Sequence, residues 1–193
     1  MHQKSVLMVA HCFFNRHSKV YKHTEIQDKE EAEIKGRLLT LLLKNQVGTI
    51  QLPCPEMLCY GLKRWGHVKD QFQHPHYTGL CKEILTPHID SLIEYRNNSF
   101  EFLGVVGIER SPSCGIHESY TGTWKGEISG NPHLGNQEAN GISLLPEKGV
   151  FMEILEAMLL QAGFETPRFF GYSSGECGEF EETIKRLIEE DVC

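Results

Sequence analysis

A chain of 193 residues that is 40% hydrophobic and 23% charged suits one ordinary globular domain with a single core, expected to span residues 1–193. A net charge of −7 and a pI near 5.8 argue against a basic nucleic-acid groove, leaving only a local patch at Lys63 and Arg64 beside Trp65. No apolar run approaches bilayer-spanning length and the start MHQKSVLMVAHCFF has no export-signal core, so no membrane partner and a cytoplasmic location are expected.

Residues 5–10 are a short continuous apolar run typical of a buried parallel strand. Residues 30–46 open on acidic residues, continue with apolar residues at helical spacing and close on Lys44 and Asn45, which predicts an amphipathic helix. Residues 47–52 are the second strand. Residues 77–98 carry Leu80, Ile84, Leu85, Ile89 and Leu92 near helical period, with Pro87 as either a kink or the first turn of a second segment. Residues 102–108 are the third strand. Residues 116–140 are rich in Gly, Asn, Thr and Ser without a sustained period, which predicts a long loop with a small hairpin at YTGTWKGEI, residues 120–128. A helix over 146–162, a fourth strand in PRFFGY (167–172) and a terminal helix over 178–191 complete the chain. Strands alternating with helices predict an α/β fold: a Rossmann-like, mostly parallel sheet with helices on both faces, a three-layer sandwich.

Three of the strands run straight into a cysteine: SVLMVAHC into Cys12, VGTIQLPCPE into Cys54, and FEFLGVVGIE into RSPSCG with Cys114. Seven cysteines, an odd number with no CxxC pair, read as thiols, metal ligands or nucleophiles rather than a disulfide framework. Ligands in such sheets bind outside the carboxyl ends of the strands. If the first strand is central, its neighbours lie roughly 4.8 Å away and the three post-strand loops converge within about 10 Å. Cys12, Cys54 and Cys114 are then expected to meet in a soft thiolate site suited to zinc, copper(I) or an iron–sulfur cluster.

The other candidates are weaker. Cys59 and Cys81 have apolar neighbours and read as structural thiols, and Cys193 as an exposed terminal one. Cys177 in GYSSGEC follows the fourth strand, where it is either a fourth ligand or, as favoured here, a structural residue. His11 and Asn15 flank Cys12 as candidate substrate contacts, while the remaining histidines, including His17, His74 and His76, carry no metal assignment.

CPE at Cys54 to Glu56, SPSCG at Ser111 to Gly115 and the cysteine of AHC at Cys12 together resemble the DUF523 family, whose namesake activity is 2-thiouracil desulfurase. VAHCFFN is more narrowly similar to a TudS-related group of desulfidases, and the shared landmarks cover about the first 60% of the chain. The resemblance implies a [4Fe–4S] cluster held by Cys12, Cys54 and Cys114 with one open iron, and removal of a thiocarbonyl sulfur without net redox. It also implies catalytic roles for Glu56 and Ser111. Where that family carries a GGLPTPR-like stretch this chain has MLCYGLKRWG, and AHCFFN stands where it has SACL-like residues, so the substrate pocket is expected to differ.

Those roles agree with the residues' own chemistry. An iron without a fourth protein ligand is a thiophilic Lewis acid, and Glu56, two residues from a ligand, is placed as general base or as a helix first-turn carboxylate. Pro112 fixes the turn, the amides of SPSCG are candidate donors to the cluster, and Ser111 is either a substrate-orienting hydroxyl or a turn cap. Two rivals from other classes remain: a cysteine-nucleophile hydrolase or amidotransferase, and a zinc or copper thiolate module without catalysis.

Overall fold

The fold is seen in a computed structural model that describes residues 4–20, 25–126, 128–129, 131–133, 135–173 and 177–190. Its first half runs β1 (Ser5–Val9), α1 (His11–Phe14), a 3-10 turn at Arg16–Ser18, α2 (Glu25–Lys44), β2 (Gly48–Gln51), α3 (Pro55–Tyr60), a 3-10 turn at Lys69–Gln71 and α4 (Pro75–Asn97). The second half runs β3 (Glu101–Ile108), β4 (Ser119–Gly122), a 3-10 turn at Glu138–Asn140, β5 (Ile142–Leu145), α5 (Val150–Gln161), β6 (Phe169–Tyr172) and α6 (Cys177–Glu190).

Four strands form one parallel sheet in the order β2-β1-β3-β6, and β1, the central apolar run, is buried along its whole length. Alternate β1 side chains feed two cores. Val6 and Met8 pack with Tyr77, Leu85, Phe151 and Leu155 from α4 and α5. Leu7 and Val9 pack with Leu38 and Leu42 of α2 and Phe180 and Ile184 of α6 on the other face. This is the expected Rossmann-like α/β sandwich, and none of its described helices is long and apolar enough to cross a membrane.

Strand β3 reaches both cores by breaking its own alternation. Phe102 and Leu103 face opposite sides, and Val105 and Val106 then repeat that order, because the register against β1 skips a residue between Phe102 and Gly104. Gly104 takes up the extra residue at φ 139°, and a Cβ there would lie 2.6 Å from the Arg168 carbonyl oxygen.

Three sequence expectations change. Strand β4 finds its partner outside 120–128: it pairs antiparallel with β5, Ser119 opposite Leu145 and Gly122 opposite Ile142. The outer edge of β4 is taken by Asp70, whose carboxylate accepts from Thr121 Oγ1 and from Gly122 N at 2.7 Å. The helix expected from 146 starts at Val150, because Glu147 N still bonds back to Leu145 O while the first α5 amides reach another segment. Pro87 does not divide α4: the helix runs from Pro75 to Asn97 with Pro87 inside it, on an exposed position.

Replacing Gly104 by Ala forces a strained φ and a backbone clash together. The expected loss is about 1–3 kcal/mol, read as a lower urea midpoint with an unchanged slope.

Candidate functional site

The sheet order delivers the three cysteines to one place. Cys12 is the second residue of α1, directly after β1; Cys54 is the N-cap of α3, its Sγ accepting from Met57 N at 3.4 Å; Cys114 lies in the turn after β3. All three line a single cavity of about 510 Å³, together with Glu56, Ser111 and Ser113. Cys54 and Cys114 are buried and Cys12 is half-buried.

The thiols are electrostatically linked. Cys54 donates to Cys12, and this hydrogen bond, helped by Ser18 and opposed by burial, brings the Cys12 thiol down to about 7. The same bond, followed by burial, pushes the Cys54 thiol far above its ordinary range, while burial first and the Cys12 charge second do so for Cys114. Among the described residues no three His, Cys, Asp or Glu side chains are arranged to hold a single metal ion, so the thiols line a cavity rather than close on a point.

The Cys114 turn is built from backbone. Ser111 N bonds to Ile108 O at 3.3 Å, Gly115 N to Ser111 O at 2.9 Å, and Cys114 N to Ser111 Oγ at 3.0 Å. Three of the amides expected to face a cofactor are therefore committed within the turn. Helix α5 has no side-chain cap and uses the turn's carbonyls instead: Val150 N reaches Pro112 O at 3.1 Å, Phe151 N reaches Ser113 O at 3.0 Å, and Gly149 N reaches Gly115 O at 3.0 Å. A Cβ on Gly149 would lie 2.4 Å from the Ser113 carbonyl carbon, so only glycine admits this contact.

Glu56 is buried in the first turn of α3, and both its oxygens are held. Arg64 Nε donates to Oε2 at 3.0 Å and Ser113 Oγ donates to Oε1 at 2.5 Å. Arg64 also donates to Ser18 O at 2.7 Å and Gly61 O at 3.3 Å, so it is a buried strut of the site. The surface patch expected at Lys63, Arg64 and Trp65 therefore lacks its arginine. Ser113 is the carboxylate's partner, whereas Ser111 braces the turn and stands 3.3 Å from Ser113 Oγ. Arg64 was not recognisable in the sequence, since nothing in its spacing from Glu56 marks a pair.

Beneath Cys12, Lys35 Nζ donates to the Cys12 carbonyl at 3.1 Å and pairs with Glu31 at 2.8 Å, and Lys19 reaches Glu31 at 2.5 Å. Burial lowers the Lys35 ammonium, with Glu31 opposing. His11 and Asn15 do not line the cavity: His11 Nδ1 bonds to Gln51 Nε2 at 2.8 Å, and Asn15 Oδ1 accepts from His17 N. Cys81 is buried in the α4 core with its thiol pushed up to about 12 by burial, then by Cys59, which suits a structural role. Cys177 begins α6, but its side chain and the whole of Cys193 lie outside the described residues.

A parallel sheet with a thiol-lined cavity across three of its strand ends defines a Rossmann-like α/β protein of the ligand-at-the-carboxyl-edge class. The chain is 36% identical over 120 residues to the Methanocaldococcus jannaschii protein named "Uncharacterized protein MJ0003", a match covering 62% of this chain and 72% of that one. It belongs to that protein's family. No family model matches the chain, and no solved structure matches it.

Arg64→Met leaves Glu56 charged and half-partnered in a buried site, with an expected cost of about 3–5 kcal/mol by denaturant unfolding, partly recovered by adding Glu56→Gln. In metal-free protein, iodoacetamide labelling of Cys12 should rise with pH around a midpoint near 7, since the thiolate is the reactive form. Peptide mapping should show Cys54 and Cys114 labelled only at higher pH.

Proposed function

We propose that this protein is an iron–sulfur-dependent desulfidase that removes sulfur from a thiolated nucleobase, nucleoside or related thiocarbonyl compound. The reaction has no net redox: C=S and water become C=O and hydrogen sulfide. The observation that carries the reading is the convergence of Cys12, Cys54 and Cys114 on a cavity that also contains a buried, ion-paired carboxylate, Glu56. The resemblance of CPE and SPSCG to the DUF523 family of TudS-like desulfurases adds to it.

The donor set fits a [4Fe–4S] cluster. Three thiols supply three ligands and leave one iron open, Met57 N already donates to the Cys54 sulfur, and the Ser18 and Ser113 hydroxyls stand 3.5 and 3.4 Å from the sulfurs of Cys12 and Cys114. When bound, such a cluster supplies a thiophilic Lewis acid that polarises a thiocarbonyl.

The protein's own residues do the rest. Arg64 fixes the Glu56 carboxylate through Oε2, leaving Oε1, shared with Ser113, to take a proton from the attacking water. Ser113, hydrogen bonded to that oxygen and next to Cys114, relays the proton towards the departing sulfur. Ser111 holds the Cys114 turn and stands in the cavity wall, where its hydroxyl orients substrate. Ile108, Ile142 and Tyr172 add apolar surface to the cavity wall. A cysteine hydrolase would need an imidazole beside its nucleophile, and the hydrogen-bond partners of these thiols among the described residues are serine, cysteine and backbone.

Anaerobic reconstitution with iron and sulfide tests the proposal. The expected result is a brown protein with about four irons and four acid-labile sulfides per chain, lost in Cys54→Ala, that releases sulfide from 2-thiouracil or a thiolated nucleoside. Glu56→Gln should keep the iron and lose about 10²–10⁴-fold of the sulfide release. A colourless wild type that takes up no iron overturns the reading. Activity in the metal-free protein, abolished by alkylating Cys12 alone, would replace it with the nucleophile mechanism.

A further inference from the structure

A buried cation directly beneath one of the three thiols has no part in the chemistry described so far. Lys35 of α2 is 7% exposed, and its ammonium reaches the Glu31 carboxylate at 2.8 Å and the Cys12 carbonyl oxygen at 3.1 Å. The rings of Phe13 and Tyr172 close round it, their centres 5.1 and 5.2 Å from Nζ, and meet each other edge to face at 5.1 Å.

A buried cation is costly unless an anion matches it. Lys69, also buried, has two carboxylates, Glu147 at 3.1 Å and Glu153 at 2.7 Å. Lys35 has one and shares it, because Lys19 takes the same Glu31 oxygen at 2.5 Å. Its other partners, a carbonyl and two rings, hold a cation without cancelling its charge. That charge acts on Cys12, whose own peptide it touches. Burial pushes the ammonium down, and the negative charges of Glu31 and of a Cys12 thiolate oppose that, so lysine and thiolate stabilise each other. The guanidinium on the cavity wall, Arg64, is matched by Glu56 and adds little net field.

A [4Fe–4S] core of charge 2+ on three thiolates carries one net negative charge, and losing one electron removes it. A cation at this place therefore favours the cluster that keeps its electron.

We infer that Lys35 is the counter-ion of the cluster at its Cys12 corner and that its charge guards the open iron against oxidative loss. The step it opposes begins when a one-electron oxidant takes an electron from the 2+ core. The resulting 3+ core sheds the iron that has no cysteine as Fe(II), and a [3Fe–4S] core of charge 1+ remains. The inference rests on the cluster proposed above and adds the residue that keeps it whole.

Anaerobically reconstituted wild type, Lys35→Met and Lys35→Arg test it, after the iron content and unfolding midpoint of each are measured. Under ferricyanide, the EPR signal of the [3Fe–4S] core should appear, and iron be released, about tenfold faster in Lys35→Met than in wild type. Its 2+/1+ reduction equilibrium should be about tenfold less favourable, about 59 mV for one electron. Lys35→Arg should keep both near wild-type values. Glu31→Gln provides a change of opposite sign that does not depend on Lys35→Met folding: with the offsetting carboxylate neutralised, iron loss should slow and reduction become more favourable. Equal rates and potentials in wild type and Lys35→Met, or an unmoved potential in Glu31→Gln, overturn the inference and leave the desulfidase reading standing. Lys35→Arg as impaired as Lys35→Met overturns the role of charge and leaves Lys35 as a brace of the Cys12 peptide. A wild type that takes up no iron overturns the desulfidase reading and this inference with it.

Discussion

The start of α5 and the SPSCG turn solve each other's problem. A helix begins with amides that have no partner inside it, and a tight turn ends with carbonyls in the same condition. Here Gly149, Val150 and Phe151 supply the donors and Gly115, Pro112 and Ser113 the acceptors, so α5 starts without a side-chain cap. Cys114 is fixed between them. Because α5 also packs Phe151 and Leu155 into the core beside Met8 and Val105, the turn is braced by the sheet it follows.

Buried ions provide the second set of braces, and they run between segments that no strand pairing joins. Arg64 links α3 to the loop after α1 through Glu56 and the Ser18 carbonyl. Lys35 links α2 to α1 through the Cys12 carbonyl, and Lys19 ties the segment after α1 to Glu31 of α2. Lys69, almost wholly enclosed, links its 3-10 turn to Glu147 and Glu153 around the start of α5. Such pairs gain little over apolar packing but are costly to break singly. Their effect is to fix where loops sit, and these loops carry the thiols and the cavity mouth.

What could be read from the sequence and what could not divide along the range of the interaction. The strands β1, β2 and β3 were visible because continuous apolar runs mark strands buried on both faces, and the cysteines at their ends followed from parallel topology. Glu56 is legible as a carboxylate two residues from Cys54. Arg64 reads from the sequence only as a surface-patch residue and Ser113 only as a hydroxyl of the SPSCG turn; their hold on Glu56 is not legible, since a buried ion pair or a shared proton depends on where two loops meet. The β4–β5 pairing was missed because its strands are separated by a 19-residue excursion over 123–141, whereas a local hairpin was the shorter solution on paper. The bulge at Gly104 left no signal either, because a glycine in an apolar run also reads as ordinary strand.

The distances along the chain between the three thiols have a consequence for how the site comes into being. Cys12, Cys54 and Cys114 stand 42 and 60 residues apart, with no close pair to start chelation. In an open chain each closure of that length carries a loop entropy cost before any contact offsets it. The thiols become neighbours only after β1, β2 and β3 have paired, a set of contacts distant in sequence and slow to form. On the proposed cluster reading, a nascent or damaged chain would therefore be a poor scavenger of metal, and loading would be reserved for molecules that have already passed the test of folding.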